Sequence, residues 1–68
     1  MPIRKRNPVA VARTRAGLSQ PALAARVGAS RPTIARIEAG TSTPLVTLAL
    51  ALSRELGESV ESLFGRER

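Results

Sequence analysis

The sequence contains no cysteine and no histidine, and Phe64 is its only aromatic residue. These absences exclude disulfides, the usual zinc ligands and most nucleophile–base pairs. The sequence also has no cluster of carboxylates. It has no glycine-rich phosphate loop, because the five glycines lie singly along the chain. We therefore expect a protein that is not an enzyme and that holds neither a metal nor a cofactor.

Long apolar runs are also missing. The longest, from Leu45 to Leu52, is interrupted by Thr47 and is far shorter than the ~20 residues that span a bilayer. The start of the chain is basic, but the apolar run directly before Arg13 has only four residues, Val9 to Ala12, whereas the apolar region of a signal peptide needs roughly 7–15. The sequence therefore predicts a cytoplasmic protein without a membrane partner.

Acidic residues are absent from the first 37 positions, which carry eight basic side chains. Residues 38–68 carry three basic and five acidic side chains, so the two parts have net charges of +8 and −2. A basic segment without acids raises the local concentration of polyanions. DNA or RNA is the first partner to consider for such a segment, and an anionic membrane surface is the second. The alternative is that the arginines only reflect solubility or genome composition.

The 68 residues, rich in alanine and leucine, are enough for one small domain near the lower limit of independent stability. Sparse β-branched and aromatic residues favour an all-α fold. Capping residues and glycine stops predict five helices: about 8–16, 20–27, 31–39, 45–56 and a short one after Ser59. Residues 1–7 are expected to be a flexible basic arm, either a disordered terminus or a DNA-reaching segment, and 65–68 a polar tail.

Apolar periodicity predicts which side chains face inward. On helix 1 these are Val9, Ala12 and Ala16, and Leu18 is expected to pack beneath the helices. On helix 4 a stripe recurs at helical spacing, with Val46 and Leu50 lying off it; its members are Leu45, Leu48, Ala49, Leu52 and Leu56.

The stretch from Ser19 to Gly40 predicts two helices joined by a tight turn. The helix crossing has a small residue, Ala24, and the turn has a glycine, Gly28. The apolar positions of the two helices are Leu23, Val27, Ile34 and Ile37. With the flanking L-S-Q, S-R-x-T-I and I-E-x-G motifs, this pattern resembles the helix-turn-helix of the Cro and phage-repressor (XRE) family. The resemblance covers residues 8–64 and implies a compact five-helix, lambda-repressor-like DNA-binding domain.

The resemblance also implies roles for individual residues. Helix 3 would enter the major groove of double-stranded DNA, with bases contacted by Arg31, Thr33 and Arg36. The DNA backbone would be contacted by Arg13, Ser19, Gln20, Ser30, Thr41 and Ser42. Pro32 departs from the family, because its position often carries a polar residue that touches a base.

Glu38 is the only acid before position 55, and the resemblance pairs it with Arg13. We expect a partly buried ion pair that orients Arg13 toward a phosphate. The alternative is an exposed pair that contributes little to stability.

Members of this family usually bind inverted half-sites as homodimers. The candidate dimer interface consists of Val60, Leu63 and Phe64, although Phe64 could instead close the domain's own core. The leading prediction is a sequence-specific transcriptional regulator, acting as a repressor or autoregulator. Alternatives are a DNA-binding antitoxin or restriction–modification controller, and a protein-interaction adaptor that does not bind DNA.

Overall fold

The computed structural model describes residues 7–65, which form five helices and no strand. The helices are α1 (Pro8–Arg15), α2 (Gln20–Val27), α3 (Arg31–Ala39), α4 (Val46–Leu56) and α5 (Val60–Phe64). The predicted all-α, five-helix fold is confirmed. None of the described helices is long and apolar enough to cross a membrane. Except for Asn7 and Gly65, the expected arm at residues 1–7 and tail at 65–68 lie outside the described residues.

Local capping chemistry fixes where the helices begin. The side chains of Asn7, Ser19, Ser30 and Ser59 each accept a hydrogen bond from a backbone N–H in the first turn of the helix that follows. Such bonds satisfy amides that have no partner inside the helix. Prolines occupy the first turns of α1, α2 and α3, where a missing N–H costs nothing. The predicted starts of these helices are therefore confirmed.

The core is a single aliphatic cluster drawn from all five helices. α2 packs on α3 and α4, while α1 packs on α3 and α5. The buried members are Val9, Ala12, Leu23, Ala24, Ile34, Ile37, Leu52 and Leu63. Partly buried residues packed against them include Leu18, Val27, Leu48, Leu56 and Phe64. Of the predicted helix-turn-helix positions, Leu23, Ala24, Ile34 and Ile37 are buried, whereas Val27 is partly buried. Leu18 packs against the core, as predicted.

Two predicted core positions are wrong. Ala16 is exposed because α1 ends at Arg15, one residue before the predicted boundary. Leu45 is 79% exposed because it precedes α4 in an extended conformation. The apolar stripe of α4 therefore begins at Leu48 rather than at Leu45.

The turn between α2 and α3 depends on the backbone of Gly28. Its φ of 72° lies in the left-handed region, which is costly for residues that carry a Cβ. The N–H groups of Gly28 and Ala29 both donate to the carbonyl oxygen of Ala24, closing the end of α2. This conformation turns the chain so that only three residues separate the end of α2 from the start of α3.

Replacing Gly28 tests how much its left-handed backbone conformation contributes to the free energy of unfolding. No heavy atom beyond its neighbours lies within 4 Å of where a Cβ would stand, so the cost of Gly28→Ala comes from the backbone alone. We expect a loss of about 1 kcal/mol in the free energy of unfolding, measured by urea denaturation. Gly28→Asn should cost less, because asparagine tolerates the left-handed region better. An alanine variant as stable as the wild type would contradict this account.

Candidate nucleic-acid interface

The inner face of α3 is fixed to the core by two isoleucines. Ile34 is fully buried and Ile37 is 2% exposed, and they lie three residues apart on one side of the helix. Leu23 of α2 is also fully buried. Apolar packing therefore holds this side of α3 against the core, and the opposite side of the helix faces solvent.

The outer face of α3 follows from helical geometry. At about 100° per residue, the side opposite the isoleucines presents Pro32, Ala35, Arg36 and Ala39, with Arg31 at its edge. All of these are exposed except Ala35, which is half-buried. Ala35 was missed in the sequence prediction, although the 3.6-residue period places it beside Arg36. Its methyl group adds an apolar contact surface between polar neighbours.

Arg31 and Arg36 are the free cations of this face. Neither takes part in an ion pair with any residue in the range 7–65, and the first turn of α3 carries no acid. Each guanidinium therefore keeps its planar set of N–H donors for a ligand. The structure places both predicted base-contacting arginines at the surface of α3.

Thr33 occupies a different environment from the two arginines. It is half-buried at the side of α3, and its hydroxyl lies 2.8 Å from the hydroxyl of Ser30. Its backbone N–H donates to the same Ser30 oxygen at 3.2 Å. Because the hydroxyl is engaged in the helix cap, the methyl group is the part of Thr33 left for apolar contact.

The predicted backbone-contacting hydroxyls lie at helix ends. Ser19 and Ser30 are exposed caps at the N-termini of α2 and α3, where the helix dipoles favour an anion. Thr41 is exposed after α3, and its hydroxyl donates to the carbonyl oxygen of Arg36 at 3.2 Å. Ser42 is half-buried. Ser19 and Ser30 thus occupy the two predicted N-terminal anion positions.

Three helices meet at the carboxylate of Glu38. Its Oε2 accepts from Nε of Arg13 at 2.6 Å, and its Oε1 accepts from Nη2 of Arg13 at 3.1 Å. The same Oε1 accepts from Nε2 of Gln20 at 3.0 Å. Only 7% of the Glu38 side chain and 19% of the Arg13 side chain are exposed. The predicted partly buried pair is confirmed, and it joins α1, α2 and α3.

These bonds occupy much of the donor capacity of Arg13 and Gln20. Nη1 of Arg13 donates to the carbonyl oxygen of Leu18 at 2.8 Å, so three of its five N–H groups have protein partners. The hydrogen bond with Glu38 raises the pKa of Arg13, against an opposing effect of burial. Arg13 therefore remains charged and oriented, with two N–H groups left for a phosphate.

Asn7 makes a second link that the sequence prediction missed. Its Oδ1 caps α1, while its Nδ2 donates to the carbonyl oxygen of Ile37 at 3.3 Å. The two residues are 30 positions apart, and no local pattern indicates such a contact. The start of α1 is thereby tied to the end of α3.

The three residues of the predicted dimer interface differ in how deeply they are buried. Leu63 is 3% exposed and belongs to the domain's own core. Val60 is half-buried, and Phe64 packs against the core from its edge. The most exposed large apolar residues of the described chain lie elsewhere, at Leu45, Val46 and Leu50.

The two ion pairs, Arg13–Glu38 and Arg26–Glu55, should contribute differently to the free energy of unfolding. Glu38→Ala should lower the free energy of unfolding by about 2–3 kcal/mol, because it leaves a largely buried guanidinium without its partner. Glu55→Ala removes the other pair, whose Arg26 and Glu55 side chains are 58% and 34% exposed, and should change stability by less than about 1 kcal/mol. Urea unfolding of both variants measures the difference. Equal losses would contradict the structural role of Glu38.

Sequence comparisons relate this chain to helix-turn-helix proteins. A helix-turn-helix family model matches residues 9–63, which is most of the described domain. An uncharacterized HTH-type transcriptional regulator from Methanothermobacter thermautotrophicus is 45% identical over 49 residues, which are 71% of this chain and 71% of that protein. Together with the α2–turn–α3 geometry, these matches show that the chain belongs to the Cro/phage-repressor (XRE) helix-turn-helix family of DNA-binding transcriptional regulators.

Proposed function

We propose that the protein is a sequence-specific repressor or autoregulator that inserts α3 into the major groove of an operator. The observation that carries this proposal is the pair of unpaired, exposed arginines, Arg31 and Arg36, on the outer face of α3. The inner face of the same helix is locked in the core. A rigid helix with free cationic donors on one side suits insertion between two phosphate backbones.

Arg31, Thr33 and Arg36 are the proposed base-contacting residues. An arginine can donate two hydrogen bonds to O6 and N7 of guanine, which distinguishes this base from the others in the major groove. The methyl groups of Thr33 and Ala35 can meet the methyl group of thymine. Pro32 has no backbone N–H and no polar side chain, so hydrogen-bonded readout depends on the two arginines.

The DNA backbone would be held around this helix by Ser19, Ser30, Thr41 and Ser42. The N-termini of α2 and α3 add positive dipole ends near Ser19 and Ser30. Arg13 has two free N–H groups for a phosphate, and Gln20 retains one amide hydrogen beside its bond to Glu38. These contacts would set the register of α3 without reading sequence.

A homodimer on an inverted-repeat operator would complete the function. One recognition helix reads only a few base pairs, whereas two copies related by a two-fold axis read half-sites about 34–36 Å apart. Occupying such a site would block or redirect polymerase. Because a repressor must reach chromosomal DNA, the proposed location of this protein is the cytoplasm.

Substitution of the two arginines tests this proposal. Arg31→Ala and Arg36→Ala should each cost about 1–3 kcal/mol of binding free energy on the preferred site, because each removes donors to a base edge. Base preference at the contacted position should relax. Arg54→Ala is the matched control, since it removes the same charge from an exposed position in α4 and should change affinity far less. Fluorescence anisotropy with the preferred duplex and single-base variants measures these effects.

A phosphate contact would give a different pattern. Loss of a phosphate-binding arginine weakens binding to all sequences alike and lowers the salt slope of log Kobs by about one. That result for both arginines would overturn the base-reading assignment while retaining DNA binding. Absence of any binding at low salt would overturn the DNA-binding proposal itself and favour the adaptor alternative.

A further inference from the structure

The outer face of α3 combines arginines with apolar groups. Arg31 and Ala35 are four residues apart, and so are Pro32 and Arg36. Residues at this spacing are neighbours on a helix surface, with Cβ atoms about 5–6 Å apart. The face therefore presents two pairs, each made of one guanidinium and one apolar group. We call Arg31–Ala35 and Pro32–Arg36 the two α3 pairs.

The guanidinium of each pair supplies hydrogen-bond donors and no acceptor. Neither Arg31 nor Arg36 forms an ion pair with a carboxylate of residues 7–65. In the major groove guanine presents two acceptors, O6 and N7, which match the planar fork of a guanidinium. Each pair therefore suits one guanine, and its apolar member is left to meet a neighbouring base.

Free carboxylates and side-chain amides are missing from α3. Adenine and cytosine present amino groups in the major groove, which proteins read mainly with such acceptors. α3 has no Asp, Asn or Gln. Its Glu38 is 7% exposed and accepts hydrogen bonds from Arg13 and Gln20. The hydroxyls of Ser30 and Thr33 bond to each other at the start of the helix. A base beside the guanine is therefore met by apolar contact rather than through its amino group.

The methyl group at C5 of a pyrimidine is the apolar feature of the major groove. Thymine and 5-methylcytosine carry this group, whereas uracil and cytosine lack it. Thymine and 5-methylcytosine differ at C4, where thymine has an oxygen and 5-methylcytosine has an amino group. Because α3 offers no free carboxylate or amide to that amino group, the two bases present the same feature to an apolar side chain.

We propose that each α3 pair recognises a guanine beside a pyrimidine that carries a C5-methyl group, either thymine or 5-methylcytosine. The arginine donates to the guanine, and Ala35 or Pro32 packs against the methyl group. Successive bases of one strand are about 3.4 Å apart along the helix axis, so the spacing within a pair suits bases that are close neighbours. This inference rests on the proposed function and adds the base chemistry that α3 selects.

Pro32 has a definite role in this arrangement. It is exposed on the outer face of α3, and its ring can neither donate nor accept a hydrogen bond. Proline and alanine lose no side-chain conformational entropy when they become buried. The free energy of a methyl contact at Pro32 or Ala35 is therefore not offset by loss of rotamer freedom. The departure from the family pattern at Pro32 thus favours recognition of methyl groups over hydrogen-bonded recognition.

Base analogues test this inference on the wild-type protein. The starting duplex is the one preferred in selection from a random DNA pool, and affinity is measured by fluorescence anisotropy. Replacing a contacted thymine by uracil removes only the methyl group and should weaken binding about fourfold, the effect of burying one such group. With a C·G pair at that position, 5-methylcytosine should bind more tightly than cytosine by a similar factor. The first comparison tests thymine as the source of the methyl group, and the second tests methylated cytosine.

Serine variants assign the contact to the two α3 pairs. Ala35→Ser and Pro32→Ser each place a hydroxyl where the apolar group stood. Neither position belongs to the buried core, so both variants should fold, as far-UV circular dichroism can verify. Each variant should bind thymine and uracil duplexes equally at the position that its pair contacts. Ala25→Ser, at an exposed position of α2, is the matched control and should keep the preference of the wild type.

The outcomes separate this inference from the proposed function. Equal affinity of the wild type for methylated and unmethylated pyrimidines at every position would overturn the inference. In that case a guanine preference that is lost in Arg31→Ala and Arg36→Ala would still support the proposed function. An effect at thymine without one at 5-methylcytosine, or a methyl effect that persists in both serine variants, would also overturn the inference. Equal binding of the wild type to all duplexes would overturn the proposed function, and this inference with it.

Discussion

The placement of α3 depends on the carboxylate of Glu38. Apolar packing of Ile34 and Ile37 holds this helix against the core, but such packing has little directional preference. The hydrogen bonds from Arg13 and Gln20 add direction, because each requires a defined distance and angle. With 7% of its side chain exposed, Glu38 makes these bonds where water competes weakly. The orientation of α3 relative to α1 and α2 is therefore defined by polar as well as apolar contacts.

The same cluster affects the charge of the proposed DNA-binding side. Glu38 is the only acid in the first 54 residues, and Arg13 compensates its charge inside the domain. Arg26 is paired with Glu55 at 3.4 Å, on a more exposed part of the surface. Arg31 and Arg36 are left without a carboxylate partner in the described chain. The charges of these two arginines on α3 are thus not neutralised by a carboxylate of residues 7–65.

Much of the fold could be predicted from the sequence because its boundaries are local. Ser19 and Ser30 start helices through bonds to amides three residues later, and Gly28 allows the turn between them. Errors occurred where periodicity was extended beyond a boundary. Leu45 fits the spacing of the α4 stripe, but the helix begins after it, so its side chain has a different direction. Ala16 lies just after the last residue of α1, at the exposed end of that helix.

The site was only partly predictable, because several of its contacts join distant positions. Gln20 and Glu38 are 18 residues apart, and Asn7 and Ile37 are 30 apart. The positions of Arg31 and Arg36 follow from helical period alone. The engagement of the Thr33 hydroxyl with Ser30 does not, since it depends on side-chain rotation within the cap.

We propose that two copies of α3 read DNA sequence through Arg31 and Arg36. Selection of bound duplexes from a random DNA pool tests this proposal most directly. We expect enrichment of an inverted repeat with guanines in each half-site and half-site centres about one helical turn apart. Recovery of bound DNA without any enriched sequence, or of a motif lacking two-fold symmetry, would contradict it.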